Sequence, residues 1–260
     1  MNIEPYAAAS IGPLIKHWRE QRRMSQLYLA SEAEISSRHL SFIETGRTAP
    51  SRAMVLRLAE YLEVPLRERN RLLTAAGFAP AFRERSLDDH SMQPARLAVE
   101  QVLKGQEPFP ALAIDRHWNM VSANSAIAAL IAGADPALLE PPVNVLRLSL
   151  HPGGLAARIA NLGQWRAHLL ERLGRQIGST GDAELFALHK ELSSYPGGSS
   201  DHDSSDAAIA VPFVLNTAAG PLSFISTTLV FGTPVDITLS EMAVELFFPA
   251  DEATASAFRR

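Results

Sequence analysis

Polar side chains cluster at the start of one short segment of the sequence. Ser36, Ser37, Arg38 and His39 can each form outward hydrogen bonds, and Gly46 follows them as a helix-ending residue. A helix with such a first turn suits a partner rich in hydrogen-bonding edges, because one arginine can form two bonds with a guanine. The major groove of DNA is one such partner, and a solvated surface helix is the bland alternative.

This segment is predicted to be the third of five short helices in the first 80 residues. Ser25 is a good N-cap for a helix over residues 26–33, and Ser36 or Ser37 caps the next, which Gly46 ends. The turn between these two helices is too short for antiparallel packing, so they must cross steeply, as in a helix-turn-helix. In that motif the second helix places its N-terminal turn against the bases.

The same region resembles the XRE family of Cro/repressor-type DNA-binding domains, over roughly residues 11–77. The pattern that carries the resemblance is Ser25-Gln26-x-x-Leu29-Ala30, then Ile35-Ser36, then Ile43-Glu44-x-Gly46-Arg47, then Pro50-Ser51. The resemblance implies that residues 1–80 form a domain that binds double-stranded DNA. Glu34 departs from the family, which often has Gly at this turn, and a left-handed conformation is less comfortable for Glu.

The motif assigns different kinds of DNA contact to different side chains. We expect Arg38 to contact bases, with Ser37, His39 and Ser41 adding weaker contacts. Gln26 resembles the phosphate-binding Gln of the family, and its backbone N–H at a helix start also suits a phosphate. The full expected set is Gln26, Ser36, Ser37, Arg38, His39, Ser41, Arg47 and Arg52.

The remainder of the chain is predicted to form a second domain over residues 96–260, after a polar linker over 81–95. Residues 111–115 and 119–123 alternate like paired strands, and residues 208–216 and 222–231 like a later hairpin. Apolar residues at steps of three and four predict a long helix over 155–177. The segment 237–248 is ambiguous, and we assign it as a bulged strand.

Two strands, then helices, then long strands is the order of a PAS-like domain. The chain further resembles the MmyB-like transcriptional regulators, in which an XRE-type domain precedes a PAS-like ligand-binding domain. The resembling blocks are ETGRTAPSR, LRERNRLLTAAGFAP, DRHWNMVSAN, PPVNVLRLSLHPGGLAARIANLGQWRAHLLERL and TLSEMAVELFFPAD. The fold class expected is an all-α five-helix helix-turn-helix bundle, followed by an α+β domain with an antiparallel sheet.

The resemblance implies a small-molecule ligand, with a lipid-like or fatty-acid-like molecule among the candidates. Aromatic and aliphatic side chains of the second domain are candidates to line a cavity for it, and arginines are candidates to anchor an acidic head. A filled core, in a domain that serves only dimerisation, is the alternative. The expected ligand-binding residues are Leu112, Trp118, Arg147, Trp165, Arg166, Phe213 and Phe224.

Several kinds of chemistry find little support in the sequence. The chain has no Cys, which excludes disulfides and thiolate sites. It lacks a G-x-S-x-G elbow, so a hydrolase with an appended DNA-binding module is the weaker alternative, and we expect no enzyme and no cofactor. Asp201-His202-Asp203 suggests a metal site, but a solvated loop is favoured in this Gly/Ser-rich tract.

Charge is distributed unevenly along the chain. Residues 1–85 hold 13 Lys and Arg against 9 Asp and Glu, whereas the whole chain has a net charge of −4. This asymmetry favours contact of the first part alone with a polyanion. No apolar run approaches the ~18 residues of a membrane span, and no signal peptide is evident. We expect a cytoplasmic protein. Because one short recognition helix reads only a few base pairs, we also expect the protein to bind an inverted-repeat operator as a homodimer.

Overall fold

The computed structural model describes residues 10–197 and 210–259. The chain separates into two compact units. Unit 1 comprises the chain up to Arg85 together with Thr233–Ser240, and unit 2 comprises Ser86–Gly232 and the chain from Glu241 onward.

Unit 1 contains the predicted helical bundle. Ser25, Ser36 and Ser51 each cap a helix, because each side-chain oxygen accepts a hydrogen bond from the backbone N–H three residues later. Leu29 is fully buried, whereas Leu27 is 72% exposed and does not join the core. The helices are α1 (Ile11–Gln21), α2 (Gln26–Glu32), α3 (Ser37–Glu44), α4 (Arg52–Tyr61) and α5 (Leu66–Ala75).

Close packing fixes α3 against α1. A Cβ atom on Gly12 would lie 2.5 Å from the backbone oxygen of Ile43, so only glycine allows this approach. Leu40 and Ile43 of α3 are fully buried, together with Ile15 of α1. The opposite side of α3, at Ser37 and Arg38, is therefore the side left to solvent.

Unit 2 is built on an antiparallel sheet, as the sequence predicts. Within the described ranges the sheet has five strands in the order β2-β1-β5-β4-β3. The strands are β1 (Ala111–Ile114), β2 (Met120–Ala123), β3 (Phe213–Thr217), β4 (Gly220–Val230) and β5 (Ala243–Pro249).

Helices cover both faces of this sheet. The largest apolar cluster lies between the inner face and the helices that follow β2, and a smaller cluster lies under the helix that precedes β1. The helices of unit 2 are α6 (Gln93–Gly105), α7 (Ser125–Ile131), α8 (Val145–Leu150), α9 (Leu162–Thr180), α10 (Ala183–Ser194) and α12 (Glu252–Phe258), whereas α11 (Ile237–Ser240) lies in the segment that belongs to unit 1. The predicted order of a helical bundle followed by an α+β domain is confirmed.

The long helix predicted over 155–177 begins later than expected, at Leu162. Ile159 instead bridges to Leu215 of β3, and the backbone N–H of Ala160 donates to the carbonyl of Val214. The segment before Leu162 is thus a short 3-10 helix, Ala156–Arg158, followed by pairing of Ile159 with the sheet, rather than a continuation of the long α-helix. The period of three and four residues cannot distinguish these two arrangements.

The segment predicted as a bulged strand is also different. Ile237–Ser240 is a short helix, α11, and strand β5 starts only at Ala243. Asp236 is almost fully buried, and its carboxylate accepts a hydrogen bond of 2.9 Å from Arg85. The backbone N–H of Ile237 donates to the carbonyl of Arg83. This connection between β4 and β5 therefore belongs to unit 1.

Candidate nucleic-acid interface and ligand cavity

The first turn of α3 faces solvent, as the opening motif predicts. Ser36, Ser37 and Arg38 are exposed, whereas His39 and Ser41 are half-buried. The Ser36 hydroxyl oxygen accepts from the backbone N–H of His39 at 3.1 Å, so this side chain caps the helix. Ser37 and Arg38 remain the exposed polar side chains of the first turn.

Two of the arginines predicted to contact DNA pack against the ring of Phe42. The guanidinium carbon of Arg38 lies 5.3 Å from the Phe42 ring centre, and that of Arg47 lies 5.7 Å from it. Cation–π contacts of this kind hold both side chains on the outer face of α3. Arg52 is also exposed, at the start of α4.

A buried ion pair holds α3 in place. Arg19 of α1 donates to the two carboxylate oxygens of Glu44 at 2.6 and 2.9 Å, and the Glu44 side chain is only 1% exposed. The hydrogen bond to Glu44 is the main reason why the pKa of Arg19 is raised. Gln26 donates its amide N–H to the same carboxylate at 2.7 Å. Gln26 therefore links α2 to α3, in addition to any contact that its position allows with DNA.

The turn between α2 and α3 places Glu34 in a left-handed conformation, which is unusual for glutamate. Its φ angle is +53°, in the left-handed region where glycine is favoured. The N–H of Ile35 donates to the carbonyl of Ala30 at 2.9 Å, which closes the end of α2. The chain thus forms the tight turn of a helix-turn-helix without the usual glycine.

Unit 2 contains a cavity of about 80 Å³ between the inner face of the sheet and the helices. Its wall includes four of the predicted ligand-binding residues, Leu112, Trp118, Trp165 and Phe213. Phe224 lies deeper, fully buried, with its ring stacked 6.2 Å from that of Phe213. The remaining wall residues are Met120, Ile127, Leu130, Ile131, Val145, Leu146, Leu148, Ser149, Leu155, Leu169, Arg172, Ser226, Glu245 and Phe247.

Arg147 and Arg166, predicted as anchors for a ligand, lie elsewhere. Arg147 donates two hydrogen bonds of 2.8 Å to Glu191, and these bonds are the largest cause of the lowered pKa of that carboxyl. Arg166 donates to the backbone carbonyls of Leu192, Ser193 and Gly197. Both guanidiniums secure the end of α10, and within the described residues neither belongs to the cavity wall.

The polar groups of the cavity are residues that sequence reasoning missed. Arg172 and Glu245 form an ion pair at the wall, and the guanidinium lies 4.6 Å from the ring centre of Trp118. The Ser149 hydroxyl oxygen accepts from the indole N–H of Trp165 at 3.0 Å. A signal for Glu245 does exist, because it is a charged residue in the inward-facing register of the apolar strand AVELFFP.

A larger hollow of about 490 Å³ opens near α12 and the β3–β4 turn. Small and apolar side chains such as Ala126, Ala219 and Leu222 line most of it, and Glu107 is its one charged residue within the described part of the chain. Glu107 accepts a hydrogen bond from Ser125. A ligand site normally combines apolar walls with convergent polar groups, so the smaller cavity is the better candidate.

Other kinds of site are not found in the described ranges. Residues 10–197 and 210–259 contain no group of three His, Asp or Glu side chains arranged to hold a metal ion. The Asp201-His202-Asp203 tract lies outside these residues. None of the helices described is long and apolar enough to cross a membrane.

Comparisons with known proteins gave a solved structure and two family models that match the chain. The crystal structure of the clp gene regulator ClgR from Corynebacterium glutamicum is similar, with 20% identity and a TM-score of 0.24, over 41% of this chain and 99% of that chain. A search of curated proteins found no match. A family model for the helix-turn-helix matches residues 15–69. The model for the ligand-binding domain of MmyB-like transcription regulators matches residues 95–260. The chain therefore belongs to the MmyB-like transcription regulators, with a DNA-binding helix-turn-helix ahead of the ligand-binding domain.

Proposed function

We propose that the protein recognises a specific operator through the first turn of α3, and that a small ligand in the cavity of unit 2 alters this binding. The exposed Arg38, oriented by Phe42, carries the first part of this proposal. Arginine is the side chain best suited to a bidentate contact with guanine. The protein is expected to act in the cytoplasm, where a bacterial operator lies.

We propose a homodimer because one recognition helix contacts too few base pairs to specify an operator. The eight residues of α3 reach only a few base pairs, which cannot single out one site among the many competing sites in a genome. A symmetric pair reads two half-sites, with centres about 10 bp apart or a multiple of that distance. We therefore propose an inverted-repeat operator.

The proposed ligand is a small, elongated and mainly apolar molecule of the lipid-like kind. Most of the cavity wall is aliphatic or aromatic, and its polar groups converge at Arg172 and Glu245. The cavity volume of about 80 Å³ is below the ~300 Å³ of a typical ligand site, so the ligand must displace wall side chains. Met120, an unbranched and adaptable side chain in this wall, is suited to such a change.

The path of the chain supports a regulatory role for this ligand. Strand β5 brings Glu245 and Phe247 to the cavity, and it continues directly from the 233–240 segment of unit 1. A ligand that shifts β5 would therefore act on a segment of the DNA-binding unit. By linkage, ligand and operator must then change each other's affinity by the same factor.

Catalysis has less support. Ser193 lies 3.5 Å from the His189 ring nitrogen, but its hydroxyl donates to the backbone carbonyl of His189 at 2.7 Å. Both groups are on one exposed stretch of α10. The geometry is that of a serine satisfied within its own helix, not of a nucleophile activated by a base.

Filling the cavity tests the ligand-binding role. Decan-1-ol at 100 times its dissociation constant should stabilise unit 2 by about 2.7 kcal/mol, because it binds only the folded state. The variant Leu112→Trp should abolish this stabilisation while costing only the ~1–3 kcal/mol typical of overpacking. The melting temperature of unit 2 with and without the alcohol is the measurement.

A second variant separates cavity filling from general damage. Leu103 belongs to α6, is buried against the other face of the sheet, and takes no part in the cavity wall. Leu103→Trp should lower the melting temperature but retain the shift caused by decan-1-ol. Equal shifts in Leu112→Trp and in the unmodified protein would show that the alcohol binds outside the cavity.

A further inference from the structure

The polar end of the cavity is formed by an ion pair with two hydrogen bonds, between Arg172 and Glu245. Nη1 of Arg172 donates to Oε2 of Glu245 at 3.0 Å, and Nη2 donates to Oε1 at 2.6 Å. Glu245 is only 5% exposed. The two charges therefore cancel within the wall, and within the described residues no other Lys, Arg, Asp or Glu lines the cavity.

Further contacts fix this pair in place. Thr228 accepts from Nη2 of Arg172 at 2.8 Å and donates to Oε1 of Glu245 at 3.1 Å. The guanidinium also stacks on Trp118, whose indole N–H donates to Gln176 at 2.8 Å. A guanidinium held by a carboxylate, a hydroxyl and an aromatic ring is not free to turn toward a ligand.

An ionised ligand head would meet two obstacles at this end of the cavity. If it draws the guanidinium away from Glu245, the buried Glu245 carboxylate is left without its partner, which is strongly destabilising. If the pair stays intact, the carboxylate of the ligand lies beside the carboxylate of Glu245, and like charges in one site repel.

A neutral polar head meets neither obstacle. Arg172 has five N–H groups, of which three are used in the contacts above, so two can still donate to an oxygen of the ligand. Ser149 and Ser226 also line the cavity. An alcohol or a primary amide can accept from the guanidinium and donate to a neighbouring oxygen without leaving any charge unpaired.

We propose that the Arg172–Glu245 pair makes this cavity selective for elongated apolar ligands with a neutral hydroxyl or amide head, and against the corresponding carboxylates. The inference rests on the proposed ligand-binding function and names the class of ligand. Arg172 and Glu245 act as the residues that determine specificity.

Two probes of equal length test this selectivity in the unmodified full-length protein. Decanamide and decanoate differ only in the head, and decanoate is ionised at pH 8 because a carboxyl pKa lies near ~4. Calorimetric titration should give at least tenfold tighter binding of decanamide. Equal or tighter binding of decanoate would overturn the selectivity but leave the ligand-binding function standing. If neither probe bound, both the selectivity and the ligand-binding function would be wrong.

Removing one charge should reverse the preference. Glu245→Gln keeps a hydrogen-bonding side chain but leaves Arg172 with an uncompensated positive charge, so decanoate should become the tighter ligand. Thr228→Val removes the two hydrogen bonds of Thr228 with the pair without changing its charge, and should keep the preference for decanamide. An unchanged preference in a folded Glu245→Gln protein would contradict the proposal, and if that variant does not fold, the comparison in the unmodified protein decides.

Discussion

Replacing Glu44 by alanine is expected to lower the free energy of unfolding of unit 1 by about 3–5 kcal/mol, the usual cost of breaking a buried ion pair. The carboxylate accepts from Arg19 and from Gln26, so its loss removes the buried anionic partner of the Arg19 guanidinium and the side-chain links of α1 and α2 to α3 at this point. Amide hydrogen exchange of α1 and α3 in the full-length protein measures the effect. DNA binding should fall with it, because α3 loses its support.

Glu20 provides the matched control. Its carboxylate lies 3.8 Å from Nη2 of the same Arg19, but its side chain is 57% exposed. Exposed pairs contribute about 0–1 kcal/mol, so Glu20→Ala should have little effect. Replacing both members of the buried pair, as in Arg19→Met with Glu44→Leu, should recover most of the stability. A cost for Glu44→Ala as small as that for Glu20→Ala would show that the pair does not hold the bundle together.

The variant Arg38→Ala should weaken binding to the operator by about 1–3 kcal/mol, the typical contribution of a bidentate base contact. Binding to unrelated DNA should be nearly unchanged, because that binding depends on contacts with phosphates. Titration of fluorescent operator and of a scrambled duplex with the same protein gives both affinities. An equal loss for both duplexes would make Arg38 a phosphate contact.

Arg47 supplies the comparison for this experiment, since it packs on the same Phe42 ring. Arg47 lies just past the end of α3, where we expect it to contact the DNA backbone, so its loss should weaken binding to all sequences alike. Arg47→Ala should also reduce the slope of log affinity against log salt by about 1. The two variants should therefore differ: Arg38→Ala should weaken binding to the operator alone, whereas Arg47→Ala should weaken binding to all DNA, although both arginines pack on the same ring.

Local signals made much of unit 1 predictable from sequence. Ser25, Ser36 and Ser51 determine helix starts through bonds with a backbone N–H only three residues away. The strain at Glu34 was also visible, because one residue in a tight turn must take a positive φ. The Arg19–Glu44 pair was not visible, since the two residues are 25 positions apart and only the folded bundle brings them together.

In unit 2 the pattern of apolar residues predicts burial but not the partners of the polar side chains. The burial of the aromatic wall residues Trp118, Trp165 and Phe213 could be predicted because bulky apolar side chains face the interior of such a domain. The sequence could not show which arginine of unit 2 lies at the cavity. Arg147, Arg166 and Arg172 all stand beside apolar positions, and their roles depend on which acceptor each meets: Glu191, the end of α10, or Glu245.

Selection of DNA from a pool of random duplexes by the full-length protein tests the central claim most directly. The account predicts that one inverted repeat is enriched, with half-site centres about 10 bp apart or a multiple of that distance. Arg38→Ala protein should lose preference at one symmetric pair of positions and keep the others. Recovery of random sequences, with affinity that depends only on salt and duplex length, would contradict sequence-specific recognition by α3.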